Sequence, residues 1–309
     1  MIDQQVSSKT KRKKSTAMSD GFLSIDPKSI PQPKLHGLLL SAVAPRPIAW
    51  ASTISADGMP NLAPFSFFNV FSSNPPICIF SPALRGRDAT RKHTLNNVEA
   101  VPEVVINVVN HALVEQCNLS SAECGADVNE FDLAGLAMVP SQTVRPFRVA
   151  LSPVQLECKV NEVKKMGTNG GAGNLIICEV TMMHISDAVL DANGSIDQDK
   201  IDLVARLGKD HYCRASGDAL FDIAKPMSNA PIGFMGLPAE VRNSVVLTGS
   251  ELAQLANVAG LPSIDERAAL LDADQMRFRK SLTDAKVLHK AAQALLAQGK
   301  VMEAWAMLL

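Results

Sequence analysis

Between about Leu23 and Ala215 the apolar positions fall in short runs of strand length, separated by turn residues. Ile48–Ser55 (IAWASTIS) leads into Ala56-Asp57-Gly58, a hairpin-turn signal, and then into a strand over Asn61–Phe68 (NLAPFSFF). Pro75-Pro76 opens a third run, ICIF. Val104–Val109 (VVINVV) is almost continuously β-branched, as buried strands are. Gln155–Val163 and Leu175–Ile185 flank a glycine-rich link and predict a second hairpin. Helical signals in this part are limited to Thr90–Glu99 and His111–Leu119. Many strands with short helical connections predict an antiparallel sheet or barrel rather than an alternating parallel sheet.

After about Lys225 the period changes. Thr248-Gly-Ser-Glu251 and Ser263-Ile-Asp-Glu266 both have the spacing of a capping box ahead of an apolar helical pattern. Val287, Leu288, Ala291, Ala292 and Leu295 recur at helix spacing, with Gly299 as a stop, and Val301, Ala304, Trp305 and Leu308 continue it. The expected organisation is a disordered basic leader over 1–17, a β domain over 18–225 and a helical extension over 226–309. The extension is expected to pack on the barrel or on a partner subunit.

Composition narrows the classes. The 309 residues carry a formal net charge of −1, which argues against a nucleic-acid-binding body. No apolar run approaches the ~18 residues that span a bilayer. The leader lacks the apolar core of a secretion signal, so a cytoplasmic protein without membrane attachment is expected. The 6 cysteines form no CxxC pair and several sit in apolar runs, which reads as buried free thiols ahead of a disulfide framework or metal site. The 6 histidines show no HExxH pattern, so no metal ligands are expected, and no GxSxG elbow nominates a serine nucleophile.

Four segments invite chemistry. Gly167–Gly173 (GTNGGAG) is followed by a strand, where a dinucleotide loop needs a helix, so it reads as a hairpin loop. Asp191–Asp197 has isoleucine where a calcium loop requires glycine and reads as a solvated turn. Arg85–Thr94 (RGRDATRKHT) sets four cations beside two threonines at a helix start. Helix-start amides, a cation and a hydroxyl suit a phosphate monoester, and a solvated basic loop is the equal alternative. In NLAPFSFFN, small Ala63 and Ser66 leave room for a flat ligand against the backbone, with Pro64 stiffening the segment and aromatic neighbours excluding water. Ser52 and Thr53, across the hairpin, are expected to add hydroxyls to the same site. Core packing is the competing reading for the three phenylalanines.

Pro45–Thr53 (PRPIAWAST), Gly58, Asn61–Phe68 and Pro75-Pro76 together resemble the flavin reductase-like family of FMN-binding split-barrel proteins. The likeness runs on through Glu130–Leu136 (EFDLAGL), Leu156-Glu-Cys158, Ala205–Gly208 (ARLG) and Tyr212, covering roughly residues 24–216. The helical tail, with Arg242–Ser244 and Leu247–Gly249, looks like an extension carried by one branch of the family.

This resemblance implies a mainly β, six-stranded Greek-key split β-barrel that forms a homodimer and holds FMN near the subunit interface. Arg46, Ser52 and Thr53 map to the first flavin-contacting strand. Ala63, Pro64, Ser66 and Phe67 map to the segment that meets the ring system and ribityl chain. Lys92 and Thr94 fall on the phosphate-gripping basic-Asp-Thr pattern, with His93 in the aspartate's place. Tyr212 matches a tyrosine that follows a glycine pair, with Lys209 in place of the second glycine. The implied activity is transfer of hydride from NADH or NADPH to flavin, which needs no side chain as acid or base, so no catalytic residue is expected. Reduced flavin or electrons would pass to a monooxygenase or another acceptor protein. The alternatives are an FMN-binding electron carrier or redox sensor without nicotinamide turnover, and a non-catalytic scaffold that binds a partner through its helical tail.

Overall fold

The computed structural model describes residues 18–19, 21–226, 230–281 and 284–309; the leader expected over 1–17 lies outside the described residues. The β-branched and aromatic runs build one antiparallel sheet. Its strands are β1 (Ala49–Ile54), β2 (Pro60–Phe65), β3 (Phe68–Ser73), β4 (Pro76–Phe80), β5 (Glu103–Val108), β6 (Val154–Lys165) and β7 (Asn174–Ile185). They lie in the order β2-β1-β5-β6-β7-β4-β3.

The segment NLAPFSFFN departs from the expected single strand. It breaks at Ser66-Phe67 into β2 and β3, and the sheet has seven strands rather than six. The reason is topological. Strands β2 and β3 are the two edges of the sheet, yet only Ser66 and Phe67 separate them. Three Cα steps reach roughly 11 Å, whereas six strand spacings across a flat sheet come to roughly 29 Å. The sheet must therefore curl until its edges adjoin, and the Phe65 and Phe80 ring centres lie 5.6 Å apart across the seam. The Ser81 amide donates to the Phe67 carbonyl at 2.9 Å. Among the described residues no ladder pairs β2 with β3, so the barrel is split there. Pro64, which cannot donate to a ladder, sits on an edge strand where it is tolerated.

Alternation along β1 sorts the core into two faces. Ala49 and Ala51 pack in the barrel interior with Phe65, Phe80, Val104, Ile106 and Ile176. Ile48 and Trp50 pack on the other side with Leu62, Leu113, Phe131 and Val149. Around the sheet lie α1 (Gln32–Ala42), α2 (His93–Ala100) and α3 (Val114–Leu119). A short hairpin of β8 (Leu203–Arg206) and β9 (Tyr212–Ala215) joins the barrel through paired backbone bonds of 2.9 Å between Arg46 and Arg206.

Chain contacts divide the molecule into two units, Met1–Leu220 and Phe221–Leu309. The second contains α4 (Gly249–Ala256), α5 (Ile264–Leu270), α6 (Ala273–Ser281), α7 (Ala285–Leu296) and α8 (Val301–Leu308). Both capping boxes form, at Thr248/Glu251 and at Ser263/Glu266. Gly299 takes φ +73° after α7, the left-handed conformation that ends helices. Leu255, Ala292, Ala304 and Trp305 are fully enclosed, and Trp305 Nε1 donates to the Leu255 carbonyl at 3.0 Å. No helix of the described residues is long and apolar enough to cross a membrane.

Candidate functional site

A buried polar network links the first hairpin to α2. Asn61 Nδ2 donates to Thr53 Oγ1 and to Thr94 Oγ1, each at 3.1 Å, and Asn97 Nδ2 donates to Thr53 Oγ1 at 3.1 Å. All four residues are buried. Thr53 and Asn61 face each other across the β1–β2 register, and Thr94 and Asn97 lie three apart on α2, one helix face. The network fixes where the N-terminus of α2 sits.

Lys92 is the N-cap of α2, and no side chain caps the helix there. The amides of His93 and Thr94 thus point out of the helix start with its partial positive charge. Lys92 Nζ lies 5.2 Å from the centre of the Phe65 ring. Burial and then the Arg85 charge hold the Lys92 pKa below the usual lysine value, with Glu123 acting the other way. Lys92 Nζ makes no hydrogen bond or ion pair among the described residues. An ammonium beside an uncapped helix start is an arrangement that suits an anion.

Asn61, Ala63, Pro64, Lys92 and Thr94 line one pocket of about 100 Å³, together with Arg85, His93, Glu130 and the segment Ser120–Cys124. Trp50 Nε1 donates to Ser120 Oγ at 2.9 Å, which anchors that segment to the core. Glu130 Oε2 accepts from the Leu62 amide at 3.0 Å, and burial raises its pKa against that bond. The glycine-rich link acts as a buttress for the basic loop. Gly171 N–H donates to the Leu84 carbonyl at 3.0 Å and Leu84 N–H to the Ala172 carbonyl at 2.9 Å. A Cβ on Gly170 would lie 2.6 Å from the Gly86 carbonyl oxygen, so only glycine lets the two loops meet.

The other expected residues are placed apart. Arg46 is buried, and its guanidinium donates to the carbonyls of Leu40, Val43 and Leu207 and to Ser66 Oγ at 3.3 Å. It ties α1 and the β8–β9 connection to the corner at Ser66. Phe67 stands exposed beside that corner, edge-on to His36 at 6.2 Å. The Ser52 and Thr53 side chains leave β1 on opposite faces: Thr53 turns to the polar network, and Ser52 to the other side, where its Oγ is buried without a hydrogen-bond partner among the described residues. Tyr212 lines a different cavity, of about 490 Å³, with His111, Arg206 and Arg214. There Arg206 lies 4.5 Å from the centre of the Tyr212 ring.

The Flavin reductase like domain matches residues 41–200 of this sequence. The chain belongs to the flavin reductase like family. A family-sized relative, an uncharacterized protein of Aquifex aeolicus, is 36% identical over 184 residues, covering 60% of this chain and 91% of that protein. Among solved structures, nitrilotriacetate monooxygenase component B from Bacillus cereus superposes with a TM-score of 0.61 at 25% identity, covering 66% of this chain and all of that one (100%). A candidate flavin reductase with split barrel domain from Shewanella frigidimarina gives 0.55 at 24% identity, covering 64% and 96%, and shares the fold.

Within this flavin reductase-like domain, sequence reading missed Asn61 and Asn97 as the ties that hold Thr53 and Thr94. It also missed Glu130 and the Ser120–Cys124 segment as pocket walls. Asn61 opens NLAPFSFFN, so a buried polar residue opposite Thr53 across a hairpin was the available signal. No local signal marks Ser120–Cys124, which reaches the pocket only through the tertiary fold.

Proposed function

We propose that this protein is an NAD(P)H-dependent flavin oxidoreductase that holds FMN with the phosphate at Lys92 and the start of α2. The observation that carries the reading is Lys92: a half-buried ammonium, without a hydrogen-bonding partner among the described residues, at an uncapped helix start beside Thr94. The residues present fit the group. A phosphate monoester supplies acceptor oxygens for Lys92 Nζ and for the His93 and Thr94 amides. Ala63 and Pro64 form the adjoining wall for the ribityl chain and ring edge. Ser66 and Phe67 extend that wall to the barrel corner, with Arg46 bracing Ser66. Ser52, Thr53 and Tyr212 are assigned to the site on family resemblance, Thr53 as support for Thr94 through Asn61.

Bound FMN supplies the redox chemistry, taking hydride from NADH or NADPH. The chain's own task is to bind, orient and exclude water, which requires no acid or base. The pocket of about 100 Å³ within one protomer falls below the ~300 Å³ at which sites for ligands of this size begin. A homodimer that completes the site accounts for that shortfall. Its surface is supplied by α1, which buries no residue of its own, and by edge strand β3, where Phe71 is 64% exposed and Val70 61%. The likeness to a monooxygenase component supports an oxygenase as the acceptor of reduced flavin. The 6 free cysteines support a reducing, cytoplasmic setting.

The test is the absorbance spectrum of the purified protein with FMN, before and after anaerobic addition of NADH or NADPH. Bleaching of a yellow protein by either donor is expected. A yellow protein indifferent to both would make it an electron carrier or sensor, and a protein that takes up no FMN would overturn the flavin reading.

A further inference from the structure

Glu123 brings a carboxylate to the pocket that Lys92 lines and pairs it with two arginines. Its Oε2 lies 2.6 Å from Arg87 Nη2 and its Oε1 lies 3.5 Å from Arg85 Nε. Glu123, Arg85 and Lys92 line the same pocket. Arg85 is held by its own loop through Nη1, which donates to the Arg91 carbonyl at 2.6 Å and to Thr90 Oγ1 at 3.3 Å. Its Nε is buried and makes no hydrogen bond. The Glu123 carboxylate thus balances the charge of Arg85 while leaving that donor unsatisfied, a costly arrangement that a better-placed acceptor would relieve.

Glu123 is also built to leave. Its side chain is 54% exposed, and it stands in an irregular stretch between Ser120, which Trp50 anchors, and Asn129, which caps the next turn. Moving the carboxylate outward breaks the exposed pair with Arg87, worth little, and a contact with Arg85 that at 3.5 Å is long. Leaving it in place beside a phosphate costs like-charge repulsion.

We propose that Glu123 is an internal stand-in for the flavin phosphate. It neutralises Arg85 and Arg87 when no phosphate is bound and swings out when the phosphate binds, so that FMN exchanges against the protein's own carboxylate. This rests on the FMN reading above. A carboxylate that merely orders the loop would help FMN bind; a stand-in competes with it.

The experiment is titration of full-length wild type and Glu123→Gln with FMN and with riboflavin, followed by flavin fluorescence. The expected result is FMN affinity raised about three- to fivefold, the size of one exposed ion pair, with slower FMN release and riboflavin affinity unchanged. Glu123→Ala gives the same gain, which separates loss of the carboxylate from any new amide contact. Unchanged or weaker FMN binding in both variants would overturn the proposal while leaving the FMN reading intact. Wild type that binds neither flavin would remove both.

Discussion

Lys92 Nζ sits 5.2 Å from the centre of the Phe65 ring, held between the seam of the barrel and the first turn of α2. Phe65 ends β2, the last residue before the chain crosses from one sheet edge to the other. The fold thus fixes this cation at the point where the barrel is open.

Replacing Lys92 with alanine is expected to lower FMN affinity about tenfold or more, since a charge-assisted bond contributes roughly 1.5–3 kcal/mol. Riboflavin, which lacks the phosphate, should bind as before. The cation–π contact contributes only about 1 kcal/mol, so the melting temperature should fall by no more than about 4 °C. Calorimetric titration and thermal melting measure the two effects separately.

Burial and Arg85 hold the Lys92 pKa below the usual lysine value, so the neutral amine accumulates at a lower pH than for a free lysine. Only the protonated form attracts phosphate. FMN affinity is therefore expected to decline as pH rises from neutrality through that titration, while riboflavin affinity stays level. Lys92→Arg, which keeps its charge, should flatten the decline. FMN titrations at stepped pH follow it.

Asn61→Ala is expected to destabilise the barrel by about 1–3 kcal/mol, because it withdraws the donor from the buried Thr94 and one of two donors from Thr53. Asn97→Ala should cost less, since Thr53 keeps Asn61. Urea unfolding midpoints rank the pair, and equal midpoints would mean the network does not hold α2.

The strand pattern and the two capping boxes were readable because each is local: alternation, β-branching and an S/T-x-x-E spacing act over a few residues. The helix start that carries Lys92 and Thr94 was readable for the same reason. What the pattern hid was long-range. NLAPFSFFN looks like one strand, and only barrel curvature requires the break at Ser66-Phe67. Ser52 and Thr53 are neighbours in sequence, and the two-residue strand period sends their side chains to opposite faces. Gly167–Gly173 was readable as a hairpin loop, whereas its packing against Arg85-Gly86 was not.

Phe71→Glu places a charge on the exposed edge strand assigned to the homodimer. It is expected to shift the protein to monomers in size-exclusion chromatography with light scattering, and to lower FMN content with it. Because Phe71 is 64% exposed in the protomer, the fold itself should persist by circular dichroism.

The most direct measurement is the ratio of FMN to riboflavin affinity in the wild-type protein, with inorganic phosphate as competitor. The two flavins differ only in the group assigned to Lys92, Thr94 and the start of α2. FMN binding at least about tenfold tighter, with phosphate eroding that advantage, is the expected result. Equal affinities, untouched by phosphate, would contradict the account.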